Sequence, residues 1–169
     1  MKDLRQRKGL TLIEMLVMLV IVAILALVAI PEAQSLIQYY RIATAADKLY
    51  IDLEYARTES VKRNTNVYVS FTTGDSWCYG INTGSACSCA TPSGCNLGTN
   101  SAPSAGVLTL SATGLSSGSI YFDGTHGNAS SAATITYTLY RQTSLITTSI
   151  SQLGNITTCS TGLSGYTAC

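Results

Sequence analysis

Six cysteines are the side chains in this sequence whose chemistry is most readily predicted. They are Cys78, Cys87, Cys89, Cys95, Cys159 and Cys169. The four thiols between residues 78 and 95 are enough for one zinc ion, but they lack the paired C-x₂-C spacing typical of zinc knuckles. All six follow a long apolar segment, as expected where the chain crosses a membrane into an oxidising compartment. The sequence therefore predicts disulfides and no metal site.

The pairing of these cysteines is only partly constrained by their spacing, because six cysteines allow 15 connectivities. Cys159 and Cys169 are expected to bond each other and close a terminal loop. Cys87 and Cys89 are separated by one residue, which gives poor disulfide geometry. Cys78 is then expected to pair with one of these two and Cys95 with the other, and the choice between them stays open.

His126 is the only histidine in the sequence, and it is the one residue that raises the possibility of an enzyme. It lies in the segment 123–128, whose composition predicts a turn. Serine is so abundant in this chain that a triad built on one His and one nearby Asp has little weight. The sequence contains no nucleophile elbow, no H-E-x-x-H and no phosphate-binding glycine loop. We predict no catalytic residue, no cofactor and an exposed turn histidine.

Charge is concentrated at the amino end, although the formal net charge is only +1. The first nine residues carry four bases, Lys2, Arg5, Arg7 and Lys8. Beyond Arg63 the charged side chains are Asp75, Asp123 and Arg141. A polar head with so few charges predicts little affinity for nucleic acid.

The segment Leu10–Ile30 is apolar except for Thr11 and Glu14. It is long enough to span a membrane as a helix, and the basic leader before it should stay cytoplasmic. Two simpler interpretations are a cleaved signal peptide, with small residues near Ala26 and Ala29, and an ordinary single-span anchor. Neither explains Glu14, because a carboxylate at mid-membrane costs about 2.5–3.5 kcal/mol.

The residues Lys8–Glu14 resemble the prepilin signature shared by type IV pilins and type II secretion pseudopilins. The resemblance implies that a prepilin peptidase cuts between Gly9 and Leu10 and methylates the new amine. Phe is the commonest first mature residue in that family, so Leu10 is a mild departure. The resemblance also implies that Glu14 meets the amino terminus of a neighbouring subunit and sets the axial register. Pro31 matches a position where pilin helices carry a helix-kinking proline.

Beyond Pro31 the apolar spacing predicts that the same helix continues to Arg63. One face is apolar and should pack on a head, and the other is charged. The apolar face carries Ile42, Ala46, Leu49, Leu53 and Ala56, and the charged face carries Asp47, Lys48, Asp52, Glu54 and Glu59. Glu59 and Arg63 have the spacing of a helical ion pair. The tyrosines of this helix, Tyr39, Tyr40, Tyr50 and Tyr55, are expected to pack on the sheet or on neighbouring subunits.

The remainder predicts a β-rich head, and hence an α+β fold in which a long helix packs on an antiparallel sheet. We expect strands at 67–71, 77–81, 107–110, 119–122, 133–141 and 144–150, a loop over 82–106, and a last strand with a disulfide-closed tail over 154–169. The predicted organisation is a leader at 1–9, a transmembrane or filament-core helix at 10–30, its amphipathic continuation at 31–63 and the head at 64–169.

The stretch Ala45–Asn64 resembles the helix end of GspH/FimT-type minor pilins and pseudopilins, with Ser60 where Ala is usual. This implies a minor pilin or pseudopilin that starts or caps a filament. The implied partners are other pilin subunits, the prepilin peptidase and the inner-membrane assembly platform. The implied location is the inner membrane with a periplasmic head, then a type IV pilus or a type II secretion pseudopilus; the sequence leaves this choice open. The alternative is a DNA-binding minor pilin, but segment 154–159 has no arginine, whereas some FimT-type members carry basic residues near the carboxyl end.

Overall fold

The amino-terminal element is one helix, α1, which spans Leu12–Arg63. The computed structural model describes residues 11–91, 94–102, 107–139 and 143–169, without the side chains of 28–32. Gly9, Leu10, Arg141 and the side chain of Pro31 therefore lie outside the described residues. Within the described residues, no helix reaches the length and hydropathy of a membrane span. The chain divides after Gln38 into two structural units.

The second half of α1 packs as its spacing predicts. Ile42, Ala46, Leu49, Leu53 and Ala56 are all completely buried in the core. One residue of the predicted charged face is different, because Glu59 is also buried. Glu59 lies three residues beyond Ala56, at the edge of the apolar face, and its neighbours Lys62 and Arg63 balance its charge.

Nine strands follow and form two sheets. Their bounds are β1 Val67–Thr72, β2 Cys78–Thr83, β3 Gly98–Ser101, β4 Leu108–Thr113, β5 Ser119–Phe122, β6 Ala133–Leu139, β7 Leu145–Ile150, β8 Ile156–Thr161 and β9 Thr167–Ala168. The first sheet has the order β3-β2-β1-β5, and the second has the order β4-β6-β7-β8-β9. Strands β6 and β7 alternate between buried and half-buried residues, as expected when one face packs on the core.

Two details of the head differ from the sequence-based expectation. Strand β3 lies within the segment 82–106, for which the sequence predicts a loop. The residues of this strand are small and polar and show no apolar alternation, so they carry no sequence signal of a strand. Its backbone nevertheless pairs with β2, from Cys78↔Ser101 to Ile81↔Gly98. Strand β9 pairs with β8 in parallel, so the second sheet is mixed rather than purely antiparallel. The Cys159–Cys169 disulfide links β8 to the residue after β9.

Aromatic side chains fill the core between the sheets and residues 39–63 of the helix. The rings of Trp77 and Tyr79 are stacked with centroids 6.3 Å apart, and Tyr137 meets Trp77 edge-on at 5.1 Å. The indole Nε1 of Trp77 donates a hydrogen bond to the carbonyl oxygen of Leu108 at 3.0 Å. This bond joins the turn before β2 to the start of β4, so the two sheets share one core.

Candidate assembly helix and its support

Glu14 lies in the first turn of α1, three residues after the capping residue Thr11. Thr11 precedes the helix, and its Oγ1 accepts a hydrogen bond from the backbone N–H of Glu14 at 3.3 Å. A Thr followed three residues later by Glu is the sequence of a capping box. The carboxylate also lies where the helix dipole favours a negative charge. Both features place an exposed anion at the start of the helix.

The side chains on both sides of Glu14 are apolar and exposed. Leu12 and Ile13 are 84% and 70% exposed, and the large apolar side chains from Met15 to Leu27 are exposed as well. Monomeric soluble proteins rarely leave a continuous apolar surface of this kind in water. Contiguous apolar surfaces of this kind are typical of segments that contact lipid or other protein chains.

An exposed apolar stripe also runs along residues 39–63, on the side of the helix that faces away from the core. Tyr40, Ile51 and Tyr55 are 60%, 59% and 43% exposed, and their spacing places them on one face. Tyr50 is exposed beside them, whereas Tyr39 is half-buried and donates a hydrogen bond to the carbonyl oxygen of Ser164 at 2.9 Å. The predicted helix tyrosines therefore divide between the head and the free surface.

The carboxyl-terminal tail holds the start of this half of the helix. Tyr166 donates a hydrogen bond to Oδ1 of Asp47 at 2.7 Å. Burial, together with this carboxylate, raises the pKa of the Tyr166 hydroxyl, so the hydroxyl stays protonated and remains a donor. The Cys159–Cys169 disulfide closes the tail onto β8. Tail and helix are thus joined at two hydrogen-bonded points, Tyr39 and Tyr166.

The end of the helix is fastened to two loops of the head by Arg57 and Ser60. The Nε of Arg57 donates to the carbonyl oxygen of Gly127 at 3.1 Å, and a terminal guanidinium nitrogen lies 3.4 Å from that of Leu153. The hydroxyl of Ser60 donates to the carbonyl oxygen of Arg57 at 2.7 Å, with that of Asp123 3.1 Å away. These contacts fix the loop around residues 123–128 and the turn at 151–155.

The predicted ion pair at the helix end is present. Glu59 Oε1 accepts a hydrogen bond from Arg63 Nε, and Lys62 Nζ lies 3.5 Å from Oε2. The hydrogen bond from Arg63 is the main reason that the pKa of Glu59 lies below its ordinary value. Two cations also suit the last turn of a helix, where the dipole is negative.

His126 is an exposed turn residue, as its sequence context predicts. Its side chain is 73% exposed and its Nδ1 lies 3.9 Å from Oδ1 of Asp123. The Asp123 carboxylate instead accepts backbone N–H groups from Thr125, His126 and Asn128. The bond from His126 N–H is the main reason that the pKa of Asp123 is lowered. This aspartate orders its own loop.

The six cysteines form three disulfides. Cys159 bonds Cys169, which is the pairing suggested by their terminal positions. The alternative left open by the sequence is resolved, since Cys78 bonds Cys89 and Cys87 bonds Cys95. In the described part of the chain, no group of three His, Cys, Asp or Glu residues is placed to hold a metal ion.

Comparison with protein families gives two matches that together cover most of the chain. Residues 45–154, more than half of the sequence, match the family described as type II transport protein GspH. The chain belongs to this family. Residues 4–30 match the prokaryotic N-terminal methylation motif, which is the segment that carries the prepilin-like signature. The resemblance to GspH/FimT-type pilins and pseudopilins, a class of structural subunits, is thereby confirmed.

A solved structure supports the same fold for this GspH-family chain. The type IV minor pilin FimU of Pseudomonas aeruginosa (strain PAO1) is similar with a TM-score of 0.52 and 22% sequence identity. The similarity covers 68% of this chain and 85% of that chain. It confirms the predicted α+β, pilin-like architecture. No curated protein sequence matches this chain significantly.

Arg57 and Tyr166 support the helix of this GspH-family chain, and sequence analysis assigns no role to either residue. Arg57 belongs to the segment that resembles the GspH pattern, but its partners are backbone carbonyls about 70 and 96 residues away. Tyr166 is one of ten tyrosines, and its partner Asp47 is 119 residues away. The position of Arg57 within the GspH-like pattern is a sequence signal that could have identified it. Nothing in the sequence distinguishes Tyr166 from the other tyrosines.

Proposed function

We propose that this chain is a minor pilin or pseudopilin that is processed by a prepilin peptidase and assembled into a type IV pilus or a type II secretion pseudopilus. In this proposal the leader 1–9 is removed between Gly9 and Leu10 and the new amine is methylated. The segment 10–30 anchors the subunit in the inner membrane, with the head in the periplasm, until the assembly platform extracts it. The match of residues 4–30 to the methylation motif supports the processing and methylation steps.

The observation that carries the proposal is the exposed apolar surface of the helix between residues 12 and 27. Lipid covers such a surface before assembly, and the helices of neighbouring subunits cover it afterwards. The apolar stripe of Tyr40, Ile51 and Tyr55 provides a further contact surface for neighbours. Side chains of this type dominate the cores of obligate protein interfaces.

Glu14 has a separate role in the proposal, which is to fix the axial position of the subunit. Its carboxylate lies among exposed apolar residues at the helix start, so it loses water when neighbours pack there. The methylated amine of an adjacent subunit is a cation that can neutralise it. Only one sliding position brings the two charges together, and removing one partner of a buried pair costs about 3–5 kcal/mol.

The assembly step is tested by comparing two substitutions on the same helix. Glu14→Gln removes the charge proposed to set the register, and Glu54→Gln removes a carboxylate far from the amino end. We expect both variants to be processed at Gly9 and Leu10. The amount of Glu14→Gln in sheared filaments should fall at least about tenfold, given the cost of an unpaired buried charge. Wild-type incorporation of Glu14→Gln would contradict the role of Glu14.

A further inference from the structure

The outward face of the second sheet carries rows of hydroxyl side chains that the proposed assembly does not use. The strand register places Thr113, Thr134, Ser149 and Thr157 side by side across β4, β6, β7 and β8. At 4.7–4.9 Å between strands, this row is about 14 Å long. The same alternation places Ile135 and Tyr137 on the buried side, so the row faces away from the core.

This row forms the floor of an open groove with a volume of about 310 Å³. Ser151 and Asn155, in the turn between β7 and β8, line one end of the groove, and Gly114 and Ala132 contribute to its wall. None of the lining residues carries a charge, and none is aromatic.

The hydroxyls in the groove are available to a ligand, whereas those of the adjacent row are not. In the adjacent row, Thr136 and Thr147 have their hydroxyl oxygens 3.3 Å apart, and Ser111 donates to the carbonyl oxygen of Thr136. Among the described residues, no hydrogen-bond partner faces the hydroxyls of Thr113, Thr134, Ser149 or Thr157.

The two ends of the groove are held by backbone features. Gly114 has φ of +77°, and a Cβ at this position would collide with the carbonyl oxygen of Ala132. The turn that carries Asn155 is held by Arg57, through the carbonyl oxygen of Leu153. The groove is therefore shaped by fixed backbone, and less conformational entropy is lost when a ligand binds to it.

We propose that this groove binds a neutral glycan strand that lies across β4, β6, β7 and β8. Hydroxyl and carboxamide groups can donate to and accept from sugar hydroxyls. An anionic polymer would find no cation in the lining, and a divalent metal ion would find no carboxylate. The length of the row suits an oligosaccharide rather than a single sugar. Because no aromatic side chain takes part, the affinity of one site is weak, and a polymeric glycan gains from binding several sites.

The test uses the full chain in detergent, labelled for amide NMR, with neutral tetrasaccharides of glucose and of N-acetylglucosamine as probes. Each is titrated into the millimolar range, with heparin as the anionic comparison. We expect at least one neutral probe to shift the amides of Thr134, Ser149 and Asn155. Thr134→Val should weaken that binding about fivefold, the scale of one lost hydrogen bond. Thr138→Val, on the same strand and face but outside the groove, is the matched control.

Three kinds of result would overturn the proposal. The first concerns the neutral probes: either none of them shifts the groove amides, or Thr134→Val and Thr138→Val bind them equally well. The second is that heparin shifts the groove amides more strongly than either neutral probe. The third is that Thr134→Cys crosslinks to a neighbouring subunit in assembled filaments, which would make the groove a subunit contact. The NMR titrations use the unassembled chain in detergent and do not depend on the role of Glu14 in assembly, so failure of one proposal does not imply failure of the other.

Discussion

The hydroxyl of Tyr79 donates a hydrogen bond of 2.8 Å to Oδ2 of Asp52, which ties β2 to the helix from inside the head. The other carboxylate oxygen accepts a bond of 2.7 Å from Lys48, and the amide of Asn100 donates to the Tyr79 oxygen at 2.9 Å. Burial is the main cause that raises the pKa of Tyr79, and the Asp52 charge adds to it. The hydroxyl therefore remains a donor, and the network links helix, β2 and β3.

Tyr79→Phe tests this network. The ring stays packed between Trp77 and Phe71, but a hydrogen bond to a carboxylate is lost. We expect the free energy of unfolding to fall by about 1.5–3 kcal/mol, measured by urea denaturation of the full chain in detergent. Tyr68→Phe is the control, because Tyr68 packs on Tyr121 at 5.0 Å and its hydroxyl has no partner in the described part of the chain. Equal effects of the two substitutions would contradict this account.

Arg57→Ala should loosen the two loops that the guanidinium holds. Two hydrogen bonds from a cation to backbone carbonyls are lost, so we expect a loss of about 1–3 kcal/mol in the free energy of unfolding. Hydrogen exchange should accelerate at the amides of Gly127 and Gly154, which lie in those loops. Arg41→Ala, on the exposed surface of the same helix, should change neither quantity. Unchanged exchange in Arg57→Ala would show that other contacts hold the loops.

Replacing Cys159 and Cys169 together by serine should destabilise the head through its tail. The disulfide closes a loop with a sequence separation of 10, and chain entropy predicts a cost of about 3 kcal/mol. The tail also carries Tyr166, so loss of the disulfide should release the hydrogen bond from Tyr166 to Asp47. The checks are urea denaturation and hydrogen exchange at the backbone amide of residue 169, which donates to the carbonyl oxygen of Ser160 in the wild-type chain. Wild-type stability of the double variant would contradict a structural role for the tail.

Stability should decrease in acid because two carboxyl groups have lowered pKa values in the folded head. Glu59 is stabilised as an anion chiefly by Arg63, and Asp123 chiefly by the backbone N–H of His126. A depressed folded pKa adds stability above the unfolded pKa, about 4, and this contribution disappears as pH falls through the folded value. Unfolding measured from pH 6 to pH 3 should show this decrease. It should be flatter in a variant that carries both Glu59→Gln and Asp123→Asn, and an equally steep decrease would contradict the assignment.

The helix and most strands follow from local patterns, whereas the contacts that join them do not. Ile42 to Ala56 repeat at spacings of three and four, and this alone identifies the buried face. Strand β3 has no such repeat, since its side chains are small and polar and its place is set by backbone pairing with β2. The burial of Glu59 and the partners of Arg57 depend on segments far away in sequence. The row of hydroxyl side chains in the groove could not be predicted either. Alternation along a strand predicts which residues face outward, but it does not predict which strands lie side by side.

The amino terminus of the mature chain tests the central claim most directly. The measurement is intact mass and amino-terminal sequencing of the protein made in cells with and without a prepilin peptidase. We predict a chain that begins at N-methylated Leu10 only when the peptidase is present. A chain cut between Ala26 and Ala29, or left uncut in both strains, would contradict the assignment of this protein as a processed pilin-like subunit.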